Sequence, residues 1–227
     1  MADQELTTPK KLFSLSQIEK SLIRFQESFD ELNRTLSLHR EPFTDVMLQN
    51  ILEAYDYLNQ LLVKNIDLFT PAGLHSMLEL NHLILCGKDS KTRYEYHNHI
   101  LETRNRYMSR IGPIRKWVLK RRTSPDPYKL ATGFYNRAVS QPQLFVEGNH
   151  RTGNIVVNYL LLSLDAPPYI ITPETARDYL EISGEIKFTN MESFQGSVFG
   201  SGITKRQFRK FLEKNVDDKY MRGYEGE

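Results

Sequence analysis

Cysteine occurs once in the 227 residues, as Cys86, and tryptophan once, as Trp117. A lone thiol excludes an internal disulfide framework, so the fold must rest on packing, as expected in a reducing compartment. No apolar run approaches the roughly 18 residues of a membrane-spanning helix. The opening Met1-Ala2-Asp3-Gln4-Glu5 lacks the basic and apolar regions of a secretory leader. Charge of one sign is also scarce: 30 Lys and Arg against 28 Asp and Glu leave a net +2, too mild to demand a nucleic acid. There are no internal repeats and no heptads. The expectation is a soluble, cytoplasmic chain, although an exported effector would carry the same signs.

What is present is enough apolar material, 40% of the residues, to bury a real interior, arranged mostly at helical spacing. Residues 1–13 are polar and read as frayed. Ser16-Gln17-Ile18-Glu19 has the form of a capping box, followed by Ile18, Leu22, Ile23, Phe25, Phe29, Leu32 and Leu36 at helical spacing. Thr44 opens a second helix. Thr70 as N-cap with Pro71 behind it opens a third, which stops at Gly87. Arg93 to Arg110 is a more polar helical stretch whose His97 and His99 show no zinc-binding spacing.

Tyr128 to Ser140 forms the next helix, and Ile155 to Leu164 is so continuously apolar that it must be the buried central one. Thr172-Pro173 starts another, which Ser183-Gly184 ends. Residues 188–203 read as a loop pinned by Phe188, Phe194 and Phe199. Thr204 to Asn215 is a last amphipathic helix.

Chemistry concentrates in Leu144-Phe145-Val146-Glu147-Gly148-Asn149-His150-Arg151-Thr152-Gly153-Asn154, which runs into the apolar central helix. A short polar loop ending at a helix start brings free N–H groups and the positive end of the helix dipole to one small volume, which suits an anion. Arg151 adds a forked permanent charge, and Glu147 is placed to hold the divalent cation that accompanies a polyphosphate. Gly148 and Gly153 have P-loop spacing, but Asn154-Ile155 stands where Lys-Ser/Thr should follow, so the Walker signature fails. Ordinary turn chemistry before a helix is the competing reading.

The loop resembles the signature of the Fic (filamentation induced by cAMP) family, H-P-F-x-[D/E]-G-N-[G/K]-R-x-x-R. Phe145, Glu147, Gly148, Asn149 and Arg151 match in register. Gln143 stands in the place of the catalytic His, Leu144 of the Pro, His150 of the small or Lys residue, and Asn154 of the second Arg. Ala166-Pro167-Pro168-Tyr169 and Thr175-Ala176-Arg177-Asp178-Tyr179-Leu180 are similar to the family's next connection and helix, so the resemblance covers roughly residues 71–190.

It implies an all-α, Fic-type helical bundle with a short β-hairpin flap. Residues 1–70 would be an N-terminal helical extension, 71–190 the core, and 191–227 a C-terminal loop and helix. It also implies binding of ATP or another nucleotide at Phe145, Glu147, Gly148, Asn149, His150, Arg151, Gly153 and Asn154, with Glu147 holding Mg²⁺. The implied activity is transfer of AMP, or a related phosphate-linked group, to a hydroxyl of a target protein. An amide at Gln143 cannot serve as the general base, so transfer would be weak or altered, with His150 as the candidate substitute base. The alternative is an inactive Fic-fold pseudoenzyme working as a nucleotide- or peptide-binding regulatory module.

Between Ile111-Gly112-Pro113 and Ser124-Pro125-Asp126-Pro127, the stretch Ile114 to Arg122 leans towards β structure. By the resemblance it is the flap, engaging the target protein through strand pairing at residues 114–119. Lys116, Lys120, Arg121 and Arg122 beside Trp117 also admit a nucleic-acid reading, but so short a cluster is more often a solvated edge. The family's inhibitory pattern, [S/T]-x-x-x-E-[G/N], finds only its end in Glu225-Gly226, because Met221 occupies the Ser/Thr place.

Overall fold

The computed structural model describes residues 11–123, 126–190 and 201–224. They form an all-α structure with one small two-stranded antiparallel sheet. In chain order the elements are β1 (Lys11–Phe13), α1 (Leu15–Asn33), α2 (Asp45–Val63), α3 (Pro71–Cys86), α4 (Ser90–Glu95), α5 (His97–Arg121), α6 (Pro127–Val139), α7 (Asn149–Leu162), α8 (Pro173–Phe188), α9 (Ser201–Asn215) and β2 (Met221–Gly223). No helix among the described residues is long and apolar enough to cross a membrane.

Helix α7 is the axis of the bundle. From Ile155 to Leu162 every residue is buried, as the unbroken apolar run requires, and α6, α3 and α2 surround it. Its one polar intruder, Asn158, is fully satisfied: Nδ2 donates to Tyr55 Oη at 2.6 Å and to the Tyr169 carbonyl at 2.8 Å, and Oδ1 accepts from Tyr169 N at 2.8 Å. A buried amide with every bond made fixes the register of α7 against α2 and the 166–171 connection, because a slip would strand those groups in an apolar core. One continuous apolar cluster runs from Phe13 to Tyr220 and draws on all three expected segments.

The start signals work as chemistry predicts at α2 and α3, where Thr44 accepts from Met47 N and Thr70 from Gly73 N. They fail at α1. Ser16 lies inside that helix and its capping box does not form; Ser14 is the N-cap, its own N–H donating to the Tyr220 carbonyl at 2.9 Å. Residues 11–13 are not frayed either. They pair with residues 221–223, Phe13 opposite Met221, and Phe13 is wholly buried with both backbone groups bonded to the Asn59 side chain.

Residues 114–119 are not a β-flap. They lie within α5, and the sheet joins the two ends of the chain. The reason is legible in spacing: Tyr107, Ile111, Ile114 and Val118 recur at helical intervals and are buried. That burial offsets the backbone bond lost at Pro113, and Gly112 faces open space. Trp117 settles against Gly133 of α6, where an added Cβ would come within 2.1 Å of the indole.

Helix α8 likewise does not end at Ser183-Gly184 but continues to Phe188, which is exposed and pins nothing. Of the expected 188–203 loop, residues 201–203 already belong to α9, while residues 191–200 with Phe194 and Phe199, and also Glu225-Gly226, lie outside the described residues.

Candidate functional site

The loop between α6 and α7 is held by side chains from three helices. Arg110 Nη1 donates to the Gln143 carbonyl at 2.9 Å, and Asn81 Nδ2 donates to the Glu147 carbonyl and to Thr152 Oγ1, both at 3.0 Å. Asn149 closes the loop on itself, accepting from Phe145 N at 2.8 Å and donating to Phe145 O at 3.0 Å. Gly148 then turns the chain into α7 with φ +73°, a left-handed conformation in which a Cβ would sit 2.9 Å from Asn81 Nδ2. No side chain caps α7. Its first-turn N–H groups therefore retain their capacity to bind a ligand.

Against this helix start lies a cavity of about 490 Å³, lined by the loop and α7, by α1, by the 39–43 connection, by the start of α2 and by α8. Its volume falls within the usual range of small-molecule sites. The lining combines two chemistries. Phe25, Phe29, Phe43 and Leu180 pack together and with Met47 supply apolar surface, while Arg40, His150, Arg151, Asn154 and Lys187 supply polar and cationic groups. Glu41 and Glu147, the carboxylates on the lining, are exposed.

Seven of the expected site residues line this cavity: Gln143, Glu147, Gly148, Asn149, His150, Arg151 and Asn154. Two do not. Phe145 stacks on Tyr107, with ring centroids 5.3 Å apart and planes 2° from parallel, and Gly153 lets α7 pack on Tyr135 and Val139 of α6. Glu147 lies 3.9 Å from His99 Nε2, and no group of three metal-ligating side chains occurs among the described residues. A Mg²⁺ held by one carboxylate and by phosphate oxygens needs no such group, so the residues present fit an ion that arrives with a polyphosphate.

Three polar atoms on this lining are buried without a partner: Arg40 Nε, His150 Nε2 and Asn154 Oδ1. Orphaned buried polar atoms are rare because each costs the desolvation it does not recover. Arg151 reaches the Ile84 carbonyl at 3.4 Å, and burial lowers its pKa while Glu147 and Glu41 oppose that shift.

The His150 ring lies beside Tyr135, whose hydroxyl is 3.0 Å from Nδ1 and 3.3 Å from the Tyr179 hydroxyl. A chain in which Tyr179 donates to Tyr135, and Tyr135 to His150, satisfies both hydroxyls and Nδ1 and leaves the proton on the unpartnered Nε2. Burial, reinforced by the charges of Arg40, Lys187 and Arg151, pulls the imidazole down to about 3. The ring is then a neutral hydrogen-bond donor near pH 7 and a poor proton acceptor. Gln143 offers no base either, and its Nε2 donates to the Val139 carbonyl at 3.2 Å.

Sequence reasoning missed Arg40, Lys187, Tyr135 and Asn81. Arg40 and Lys187 are separated from the loop by more than a hundred and by more than thirty residues respectively, with no local pattern marking them. Asn81 carried a signal, being a polar side chain in the middle of an apolar helical face. Comparison of the chain with protein-family models, curated proteins and solved structures returned no match.

Proposed function

We propose that this chain is a divergent Fic-type protein that binds the phosphate end of a nucleoside polyphosphate, ATP by default, with Mg²⁺ at Glu147. The observation that carries the reading is the convergence of an uncapped helix start, Arg151 and three unpartnered buried polar atoms on one cavity. The loop register supports the nucleotide class: Glu147, Gly148, Asn149 and Arg151 follow one another as in the resembled motif. The apolar wall around Phe25 and Phe43 provides for the base.

Transfer of AMP would have a target hydroxyl attack the α-phosphate and pyrophosphate leave. That step needs a proton acceptor, whose assistance is typically worth about 10² to 10⁴ in rate. With an amide at Gln143 and a depressed imidazole at His150, neither position to which the motif points supplies one. Any transfer is therefore slow, and a nucleotide-dependent regulatory module is the second reading, favoured by the engagement of Gln143 with the backbone of α6.

The test is a calorimetric titration with Mg-ATP, followed by protein labelling from tagged ATP. Saturable binding is expected, and Gln143→His should raise labelling by about 10²-fold or more. Absence of ATP binding would overturn the reading. Binding with unchanged labelling by Gln143→His would select the regulatory module.

A further inference from the structure

We propose that Arg40, in the connection between α1 and α2, is the second cation of an anion receptor formed with Arg151 and His150. It would make the cavity selective for linked phosphates over a single phosphate. The inference deepens the phosphate-site reading and rests on it.

Arg40 is not placed by chance. Its backbone is clamped by one side chain, Asn33, which accepts from Arg40 N at 2.7 Å and donates to Arg40 O at 2.9 Å. Its guanidinium reaches α8, where Nη2 donates to the Leu180 carbonyl at 2.8 Å. Gly184 makes the room: a Cβ there would lie 2.8 Å from Nη2, which accounts for a glycine within a helix that it does not terminate. Nε remains buried and unbonded, and no ion pair among the described residues involves Arg40.

A half-buried guanidinium with one carbonyl and no carboxylate is a charge awaiting a partner. The surroundings repeat that imbalance. Arg40, Lys187 and Arg151 all act to keep His150 unprotonated, which places three positive charges within electrostatic reach of one ring. The carboxylates on the lining, Glu41 and Glu147, are exposed and do not lie within ion-pair distance of Arg40.

Selectivity follows from where the two guanidinium groups are tied. Arg151 is anchored to the Ile84 carbonyl of α3 and Arg40 to the Leu180 carbonyl of α8. Arg151 enters the cavity from α7 and Arg40 from the connection held against α8, so a chain of two or more phosphates can meet both, with the neutral His150 Nε2–H as a further donor. A single phosphate satisfies one guanidinium and leaves the other charge without a partner.

The experiment is calorimetric titration of the full chain with inorganic phosphate, pyrophosphate and Mg-ATP, for the parent, Arg40→Gln, Arg40→Lys, Gly184→Ala and Arg151→Gln. The parent is expected to bind pyrophosphate at least ten times more tightly than phosphate. Arg40→Gln should lose about 10- to 100-fold towards pyrophosphate, the worth of a charge-assisted bond, and most of that preference. Gly184→Ala keeps the charge but displaces the guanidinium, and should lose several-fold. If Arg40→Gln melts early, Arg40→Lys and Gly184→Ala decide.

Parent-like affinity in the Arg40 and Gly184 variants, with a loss in Arg151→Gln, would refute the role of Arg40 and leave the phosphate site standing. Arg40-dependent pyrophosphate binding without ATP binding would uphold the receptor and refute the nucleotide reading. No binding of either ligand by the parent would refute both.

Discussion

Replacing His150 with glutamine should flatten the protein's loss of stability on the mildly acid side of neutrality. The folded-state imidazole sits at about 3 against an ordinary 6.5, so the unfolded chain takes up the proton first. Above pH 6.5 the ring is neutral in both states and contributes no pH dependence. Below it, stability falls by up to about 1.4 kcal/mol per pH unit until the folded-state value is reached. Between pH 6.5 and 5 that amounts to roughly 2 kcal/mol, a large share of the 5–15 kcal/mol typical of a domain. Asp67 and Glu79, where burial raises the pKa but the Arg122, His82 and Arg93 partners outweigh it and lower the value, lose their stabilising effect only as pH falls through and below the usual carboxylate range.

The difference between parent and His150→Gln across the window from pH 6.5 to 5 therefore reports His150. Urea denaturation of parent and His150→Gln at half-unit steps measures it. Glutamine keeps an N–H donor and has no proton to gain, so its curve should be flatter by about the amount above. Saturating pyrophosphate should also flatten the parent's curve, because an anion beside the ring stabilises the imidazolium and raises the folded-state value. Parallel curves for parent and variant over this window would refute the burial and charge argument for His150.

Gly148→Ala should destabilise the protein by about 1–2 kcal/mol, through its left-handed φ and the approach of a Cβ to Asn81 Nδ2; it should weaken anion binding as well, since Asn81 anchors the Glu147 carbonyl. Thermal melts with and without pyrophosphate separate the two effects. Val118→Pro should cost about 3 kcal/mol or more, because it breaks the interior of α5 at a buried position. A melting temperature equal to the parent's would show that residues 114–119 are an accessory strand after all.

Much of the bundle was legible because helix signals are local. Thr44, Thr70-Pro71 and Thr172-Pro173 mark starts through caps that need only the next three residues. The unbroken apolar run of α7 could only be buried. Readings failed where a local signal was outweighed by a distant partner. Gly112-Pro113 looked like a break, yet the burial of Ile111, Ile114 and Val118 carries α5 through it. Gly184 looked like a helix end, yet it is the space into which Arg40 fits. Lys11–Phe13 looked frayed, yet its pairing partner lies more than two hundred residues away at the other end of the chain.

The candidate site divides in the same way. By itself the sequence determined that a glycine-containing polar loop with Glu147 and Arg151 would meet a helix start, because those features are contiguous and their physics is that of a few backbone groups. Only the tertiary structure decided which of those residues face a ligand space. Phe145 and Gly153 turn to packing, Asn149 is spent on the loop's own backbone, and His150 lines the cavity among three cations that lower its affinity for a proton. Only the tertiary structure, too, brought Arg40 and Lys187 from separate segments to the same cavity, since charge acts through distance in space and a linear reading has no measure of that distance.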